Sequence, residues 1–544
     1  MYRRASMVVA VVCVAALQPA LAHWLGRTTG TTLGATDVVS ARAGERRDGN
    51  VERRIDALLA KMTLAEKLGQ LQQLDGEANG QYRLEHLELA RRGLLGSTLN
   101  VRGARRVNEL QRVAVEQSRL GIPIVFAFDV IHGYRTVFPI PLGETASWDP
   151  RAAERAAAIA AAEAKAAGVH WTFAPMVDIA RDARWGRIAE GAGEDPYLGA
   201  VMARARVHGF QGDDYSRPDK VVACAKHWVA YGAAEAGRDY NTVDVSERAL
   251  RSIYFPPFKA ALDAGVGTFM SAFNDLNGVP ASANPFTLDG VLREEWGFDG
   301  AVVSDYNSVA ELVNHGIARD DAEAALRALQ AGVDMEMVSR TYATHGQRLV
   351  DRKQLSLAVI DQAVRHVLRV KLRAGLFDQP YADEARERRT LLTTEHRRAA
   401  REIAARSMVL LKNANQRLPL DPAVGSLAVM GPLADDREST LGSWIGDGRA
   451  ADAVTVLDGI RAAVPSATAV RYAKGVSISV ESLMPGAGRT GPSDDQGIEE
   501  AVRIARAADN VVLVVGETAA MSGEAASRTE LGLPGRQLEL AERV

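Results

Sequence analysis

Residues 301–306 read Ala-Val-Val-Ser-Asp-Tyr, a short apolar run that ends in a carboxylate. Such a run is typical of a buried strand. A lone carboxylate is costly to bury unless it is paired or hydrogen-bonded, so Asp305 requires partners. A nucleophilic or acid/base role explains its position. A helix cap explains it as well, because Asn307 and Ser308 begin a helical stretch.

Eight apolar runs of strand length are spaced along the first part of the chain, and helical segments such as 152–167 and 321–331 lie between them. This alternation is typical of parallel βα units, and eight strands close a (β/α)8 barrel. We therefore expect an α/β fold that begins with a TIM-like barrel at 51–376. The runs are 68–74, 93–99, 123–128, 171–177, 221–225, 267–272, 301–304 and 333–337.

Polar side chains follow the ends of most of these runs. Active sites of such barrels are built at the carboxyl ends of the strands, from the βα loops. We therefore expect most of these side chains to converge at one mouth. In chain order they are Asp129, His132, Asp178, Arg181, Arg187, Lys226, His227, Asn274 and Asp305, with Asp334 and Glu336 inside the last run.

A second alternation of strands and helices follows a charged stretch at 377–395, which is typical of an interdomain linker. It predicts an α/β sandwich domain at 396–544. The chain stops inside a starting helix at 535–544, so we expect this domain to be incomplete at its C-terminus. The predicted strands are 408–411, 427–430, 469–472 and 511–515, and the predicted helices are 451–463 and 497–508.

The N-terminus has the pattern of a secretory signal peptide at 1–22. Arg3 and Arg4 precede an apolar region at 7–17, and Ala20-Leu-Ala22 fits a cleavage site. An uncleaved anchor is less favoured, because an apolar run of about 11 residues is shorter than the roughly 20 that span a bilayer. We expect a flexible segment at 23–50, a periplasmic or secreted location, and no stable membrane insertion after cleavage.

The composition limits the classes of partner and cofactor. The 544 residues are 47% hydrophobic and 24% charged, which excludes disorder over most of the length. A net charge of -3 gives no sign of nucleic-acid binding. Of two cysteines, Cys13 lies in the predicted signal, so the mature chain forms no internal disulfide. The ten histidines have no pair at metal-ligand spacing, so a zinc site has no support and we expect no metal.

Several charged residues have two interpretations each. Lys226 and His227 suit the hydroxyl groups of a sugar, or they are a paired lysine and a core histidine. Arg187 either joins an internal ion pair or forks onto ligand hydroxyls. Glu524, in a loop of small residues, is a general acid or only an exposed charge. Glu517, nearer the end of the strand at 511–515, competes for the role of acid.

Taken together, several motifs resemble glycoside hydrolase family 3, from about residue 50 to the end of the chain. Several motifs occur in the order that the family has, which argues against a chance match. The likeness extends to the periplasmic β-glucosidases of that family. The motifs are Asp129-Val-Ile-His-Gly133 with Phe138-Pro139, Arg184-Trp-Gly-Arg187, Gly193-Glu-Asp-Pro196, Lys226-His227, Val303-Ser-Asp305, Leu410-Leu-Lys-Asn413, Gly523-Glu524, Ser527-Arg528 and Leu533-Pro534.

The resemblance implies a role for each matching residue. Asp305 is the nucleophile, and Glu524 is the acid/base that the second domain supplies. The activity implied is that of a retaining, exo-acting β-glucosidase, which needs no cofactor and whose two carboxyls lie about 5–5.5 Å apart. A small carbohydrate is the expected partner, and the oligomeric state stays open. The sugar-binding positions are Asp129, Arg187, Lys226 and His227.

The sequence also departs from the family pattern. Phe273 stands where many relatives have a tyrosine near the nucleophile, and Tyr306 stands where a tryptophan is common; both are expected at the substrate. A β-xylosidase or another exo-glycosidase of the family is an alternative. The N-acetylglucosaminidase branch is disfavoured, because the chain continues Trp-Val-Ala after Lys226-His227. A carbohydrate-binding protein without catalysis is an alternative of another class.

Overall fold

A computed structural model describes residues 49–421, 424–480 and 492–544. The predicted signal peptide at 1–22 and residues 23–48 of the predicted flexible segment lie outside the described residues. Residues 49 and 50 belong to the first helix, α1, at 49–59. No helix in the described ranges combines the length and the apolar character needed to span a membrane.

Ten strands lie within the described residues 49–421, and eight of them form one parallel sheet. The other two, β7 and β8, form a small antiparallel hairpin. The strands are β1 Gln72–Asp75, β2 Ser97–Leu99, β3 Val125–Phe128, β4 Trp171–Thr172, β5 Cys224–Trp228, β6 Thr268–Ser271, β7 Asp275–Leu276, β8 Val279–Pro280, β9 Ala301–Tyr306 and β10 Met335–Met337.

The sheet closes on itself as a barrel. Its strand order is β4-β3-β2-β1-β10-β9-β6-β5, so β4 and β5 are the two edges. Backbone hydrogen bonds cross this seam: Thr172 N–H donates to the Val222 carbonyl at 2.8 Å, and Val177 N–H donates to the Lys226 carbonyl at 2.8 Å. The prediction of a TIM-like barrel is confirmed.

Each of the eight predicted runs contains or overlaps a strand, but the first run was placed too early. Leu68 belongs to helix α2, Leu64–Gln70, and the strand β1 begins only at Gln72. The helix has a capping box that the apolar pattern concealed. Thr63 N–H donates to the Glu66 carboxylate at 2.8 Å, and Glu66 N–H donates to the Thr63 hydroxyl at 3.3 Å.

Helices surround the barrel. Helix α6, Pro150–Ala166, packs closely on helix α7, Pro196–Gln211, because α6 presents a row of buried alanines to it. Gly209 of α7 permits this approach, since a Cβ there would lie 2.4 Å from the Glu154 carbonyl oxygen. The helices are α3 Leu84–Arg91, α4 Ala104–Arg112, α5 Pro141–Thr145, α6 Pro150–Ala166, α7 Pro196–Gln211, α8 Glu247–Ala249, α9 Phe255–Asp263, α10 Asp321–Ala331, α11 Thr341–Asp351, α12 Leu357–Arg373, α13 Glu384–Thr390 and α14 Thr394–Arg406.

The predicted linker at 377–395 includes helix α13 and lies on the barrel helices. The Glu387 carboxylate accepts from Ala104 N–H at 3.1 Å, and Ala382 N–H donates to the Asn108 side chain at 2.8 Å. Both hydrogen bonds attach helix α4 to this stretch. The segment is therefore packed along the barrel by specific hydrogen bonds.

A three-stranded parallel sheet forms the centre of the second domain, in the order β12-β11-β13. Three predicted strands are confirmed, but the predicted strand at 408–411 is wrong. In the described chain these residues pair with no strand, and Leu411 is 91% exposed. An apolar run becomes a strand only where a neighbouring edge accepts its hydrogen bonds. The elements are β11 Ser426–Met430, β12 Ala469–Ala473, β13 Asn510–Leu513, α15 Val456–Ala463, α16 Pro492–Arg506 and α17 Gln537–Arg543.

The close approach of the backbone at Gly96 to the backbone at Gln70 gives a test of the fold. A Cβ at Gly96 would lie 2.2 Å from the backbone oxygen of Gln70. We expect Gly96→Ala to lower the free energy of unfolding by about 1–3 kcal/mol, because one backbone must move. Gly290→Ala is the control: its Cβ would meet nothing nearer than 3.8 Å, so its stability should be unchanged or slightly raised. Equal melting temperatures for the two variants would contradict this packing.

Candidate active site

A cavity of about 690 Å³ opens at the carboxyl ends of the barrel strands. Leu99 ends β2 and Met337 ends β10, and both line it. Seven of the eight predicted site residues line this cavity, and His227 lies behind it. The seven are Asp129, Arg187, Lys226, Phe273, Asp305, Tyr306 and Glu524.

Asp305, near the end of β9, is buried with one oxygen free. Its Oδ1 accepts from Tyr306 N–H at 2.7 Å. Its Oδ2 has no hydrogen-bond partner among the described residues, and the nearest ring nitrogen, His227 Nε2, lies 3.6 Å away. Burial raises the pKa of Asp305 to about 8, against the opposing effect of the nearby cations Arg187 and Lys226. The free oxygen is available to a ligand in the cavity.

His227 is held in a fixed orientation by Asp178. Both Nδ1 and the backbone N–H of His227 contact the same Asp178 oxygen, at 2.7 and 2.9 Å. Burial lowers the pKa of His227 well below its usual value, and the cations Arg187 and Lys226 add to this effect. The imidazole is therefore neutral, with its proton on Nδ1 toward the carboxylate. Nε2 remains as an acceptor on the side of Asp305.

Lys226 forms a buried ion pair at the cavity wall. Its Nζ lies 2.7 Å from the Asp129 carboxylate and 5.3 Å from the centre of the Trp444 ring. Burial disfavours the ammonium, but the carboxylates of Asp129 and Glu190 outweigh it and raise the pKa of Lys226. A charged donor and a charged acceptor therefore stand side by side at this wall.

Arg187 is anchored on one side and open on the other. Its Nε and Nη2 donate to the Glu190 carboxylate at 2.7 and 3.2 Å. Its Nη1 has no hydrogen-bond partner in the described chain and lies 3.7 Å from Glu524 Oε1. A buried guanidinium with an unused nitrogen is suited to donate to a ligand.

The geometry separates the two glutamates that the sequence left in competition. Glu524 lines the cavity, and Tyr240 Oη donates to its Oε1 at 2.8 Å. Glu517 forms an ion pair with Arg528 and does not line the cavity. Of the two glutamates, only Glu524 therefore lies at the cavity.

Aromatic side chains form much of the remaining wall. Phe273 packs its ring at 5.1 Å from that of Tyr240, edge to face. Tyr306 is half exposed, and its hydroxyl lies 3.4 Å from the Asp75 carboxylate. Trp444 and Tyr240 also line the cavity, and sequence reasoning missed both. The only sequence feature that marks Trp444 is its place in a short stretch between Gly442 and Gly446.

Apart from Asp178 and His227, five predicted members of the cluster do not line the cavity: His132 and Asn274, which are buried, and Arg181, Asp334 and Glu336. Arg181 is exposed and does not line the cavity. Asp334 precedes β10, at the opposite end of that strand, where its oxygens accept from Arg293 at 2.7 Å and contact His366 at 2.8 Å. Glu336 accepts from the first N–H groups of helix α11. These carboxylates have structural partners.

Comparison with known families agrees with this geometry. The model for the glycosyl hydrolase family 3 N terminal domain matches residues 63–370, and the model for the C-terminal domain matches residues 408–544. The chain belongs to glycosyl hydrolase family 3. The prediction drawn from the sequence motifs is thereby confirmed.

Relatives of the family 3 chain include glucosidases and xylosidases. A periplasmic beta-glucosidase of Salmonella typhimurium is 42% identical over 89% of this chain and 65% of its own length. A beta-xylosidase of Formosa agariphila is 38% identical, over 81% of this chain and 63% of its own length. The chain therefore spans a little less than two thirds of both relatives.

A solved structure shows the same architecture. The β-glucosidase from Listeria innocua in complex with glucose superposes with a TM-score of 0.82 at 37% identity. The match covers 90% of this chain and 67% of that one. A second structure of that enzyme holds laminaribiose.

The buried charge of Asp305 predicts a pH-dependent cost in stability. Its pKa is raised to about 8 in the folded chain and lies near 4 in the unfolded chain, so the folded state holds an extra proton between these values. Stability must then fall as the pH rises from about 4 to about 8. We expect Asp305→Asn to unfold at least about 2–4 °C above the wild type at pH 7.5, and by a smaller margin at pH 5.

Asp299→Asn is the control for this measurement. The pKa of Asp299 is lowered, because the ion pair with Arg373 outweighs burial. Its replacement should not raise the melting temperature at either pH. A wild type and an Asp305→Asn variant that melt together at pH 7.5 would contradict the predicted cost.

Proposed function

We propose that the chain is a retaining, exo-acting β-glucosidase, which releases terminal non-reducing β-D-glucosyl residues from oligosaccharides or glucosides. Two carboxylates line one cavity, Asp305 from the barrel and Glu524 from the second domain, and this pair supports the proposal most directly. Asp129, Arg187 and Lys226 line the same cavity. Family membership and the glucosidase relatives support the same activity.

Double displacement assigns one role to each carboxylate. Asp305 Oδ2 attacks the anomeric carbon while the bond to the glycosidic oxygen breaks, and Glu524 donates its proton to that oxygen. In the second step Glu524 takes a proton from water, and the water oxygen displaces Asp305 from the anomeric carbon. Two inversions give net retention.

The sugar is held by charged groups that already have partners. Asp129 accepts and Lys226 donates, so neighbouring hydroxyl groups of one sugar can bond to both. Arg187 offers its unused nitrogen, and His227 offers Nε2 as an acceptor. Because each charge is compensated within the protein, the site suits a neutral ligand such as glucose. Phe273, Tyr306 and Trp444 supply apolar surface for the ring faces of the sugar.

The proposed enzyme uses both domains of the chain and is periplasmic or secreted. The barrel at 51–376 and the second domain at 396–544 act together, with the stretch at 377–395 between them. A predicted signal peptide and a periplasmic relative support a periplasmic or secreted location.

Two carboxylates suffice for the chemistry, so the proposal includes no cofactor and no metal. Within the described residues no group of three or more acidic, histidine or cysteine side chains is arranged to hold a metal ion.

A β-xylosidase is the second candidate. It is favoured by the xylosidase relative, which is nearly as similar to this chain as the glucosidase. A xyloside lacks only the hydroxymethyl group of a glucoside. The two activities therefore differ in the space around one carbon atom of the sugar.

Hydrolysis of aryl glycosides tests the proposal. We expect the chain to hydrolyse p-nitrophenyl β-glucoside with a higher kcat/KM than the β-xyloside. Asp305→Ala should lower kcat by at least about 10³-fold, because the nucleophile is lost. The exposed Asp244 serves as control, and Asp244→Ala should keep wild-type rates. A preference for the xyloside would establish the second candidate. A folded chain that binds glucose and hydrolyses neither would be a binding protein.

The stereochemistry and the role of Glu524 are tested together. Proton NMR should detect β-glucose as the first product, before mutarotation, and α-glucose first would exclude double displacement. With 2,4-dinitrophenyl β-glucoside, Glu524→Ala should form the glycosyl-enzyme and hydrolyse it slowly. Added azide should restore turnover and give β-glucosyl azide. Azide rescue of Glu517→Ala instead would assign the acid/base to the other glutamate.

A further inference from the structure

The segment that carries Glu524 is docked on the barrel by backbone pairing. Residues 523–528, here called the acid segment, run antiparallel to residues 184–186. Gly523 N–H donates to the Gly186 carbonyl, and Gly186 N–H donates to the Ala526 carbonyl, both at 2.8 Å. A Cβ at Gly186 would lie 2.1 Å from the Ala526 carbonyl oxygen, so only glycine permits this approach.

Backbone pairing alone does not fix the register of such a short ribbon. The same N–H and carbonyl groups are present at each residue, and a slip leaves most of them paired. A slip would nevertheless carry Glu524 out of the cavity. A side chain that bonds to both strands of the ribbon adds contacts that only one register satisfies.

Asp239 makes these contacts. Its Oδ1 accepts from Trp185 Nε1–H at 2.8 Å, on the barrel strand of the ribbon. Its Oδ2 accepts from Ala525 N–H at 2.7 Å, on the acid segment. Its own backbone N–H donates to Ser527 Oγ at 3.0 Å. The next residue, Tyr240, donates its hydroxyl to the Glu524 carboxylate.

We propose that Asp239 is a positioning residue that fixes the register of the acid segment and so places Glu524 for proton transfer to the leaving group. The catalytic part of this statement rests on the proposed function. Asp239 does not line the cavity, and it acts through Ala525 and Trp185. Two residues that take part in these contacts, Tyr240 and Ala525, have a left-handed backbone conformation with φ of 62° and 57°. Such a conformation persists only where the surrounding contacts hold it.

The substitution Asp239→Asn isolates this role. Asparagine has the shape of aspartate, but one carboxylate oxygen becomes an NH₂ group that cannot accept. Both oxygens of Asp239 face N–H donors, so the amide must oppose one of them in either orientation. The volume of the side chain is unchanged. Asp244→Asn, an exposed change five residues further along the same loop, is the matched control.

The first readout depends on the leaving group. A poor leaving group, as in methyl β-glucoside, requires the proton of Glu524, whereas 2,4-dinitrophenolate departs unaided. General acid catalysis contributes at least about 100-fold. We expect Asp239→Asn to lower kcat/KM about 100-fold for methyl β-glucoside and less than about 5-fold for the dinitrophenyl glucoside. An equal loss for both substrates, or none, would overturn the proposal.

The second readout is independent of activity. Hydrogen exchange at 523–528 should be at least about 10-fold faster in Asp239→Asn than in the wild type and in Asp244→Asn, while exchange in the barrel strand β9 stays the same. Unchanged protection at 523–528 would overturn the docking role. If the wild-type chain hydrolysed no glycoside, the proposed function would fail, and the exchange comparison alone would decide whether Asp239 docks the acid segment.

Discussion

The constraint on which the site depends is that Asp305 is buried without a direct ion pair, so that one of its oxygens stays open to the cavity. Burial raises the pKa of Asp305 to about 8, and the nearby cations oppose this rise and so keep the charged form accessible. The two nearby cations, Lys226 and Arg187, are each held by an anion of their own, Asp129 and Glu190. They act on Asp305 through space, so its second oxygen stays unbonded. The barrel meets this requirement because parallel strands bring all of these residues to one end.

The second constraint is that the two carboxylates come from different domains. The barrel fixes Asp305 by strand geometry, but Glu524 depends on a segment of the second domain that pairs with residues 184–186. The second domain makes another contact with the barrel beside Trp444, where the Ser443 carbonyl oxygen lies 2.5 Å from His132 Nε2. Proton transfer requires reacting atoms to lie within hydrogen-bonding reach, so the seating of one domain on the other becomes a catalytic variable.

The sequence predicted the parts of the site that follow regular elements. Asp305 and Lys226 could be located because each ends an apolar run, and the order of such runs defines a barrel. Trp444, Asp239 and Tyr240 could not be located, because loops have no periodicity and their partners are distant in sequence. The sequence left Glu524 and Glu517 equivalent, and only the structure shows that Glu517 forms an ion pair with Arg528 while Glu524 lines the cavity. The run at 408–411 shows the converse, since its apolar pattern lacks a strand to pair with.

Double displacement requires Asp305 to form a covalent bond to the sugar. The most direct measurement is to treat the chain with 2,4-dinitrophenyl 2-deoxy-2-fluoro-β-glucoside, whose fluorine slows release of the intermediate, and to map the labelled peptide by mass spectrometry. We expect a single fluoroglucosyl group on the peptide that contains Asp305, and none on Asp305→Ala. Turnover of an ordinary glucoside with the label on another residue, or with no label, would contradict it.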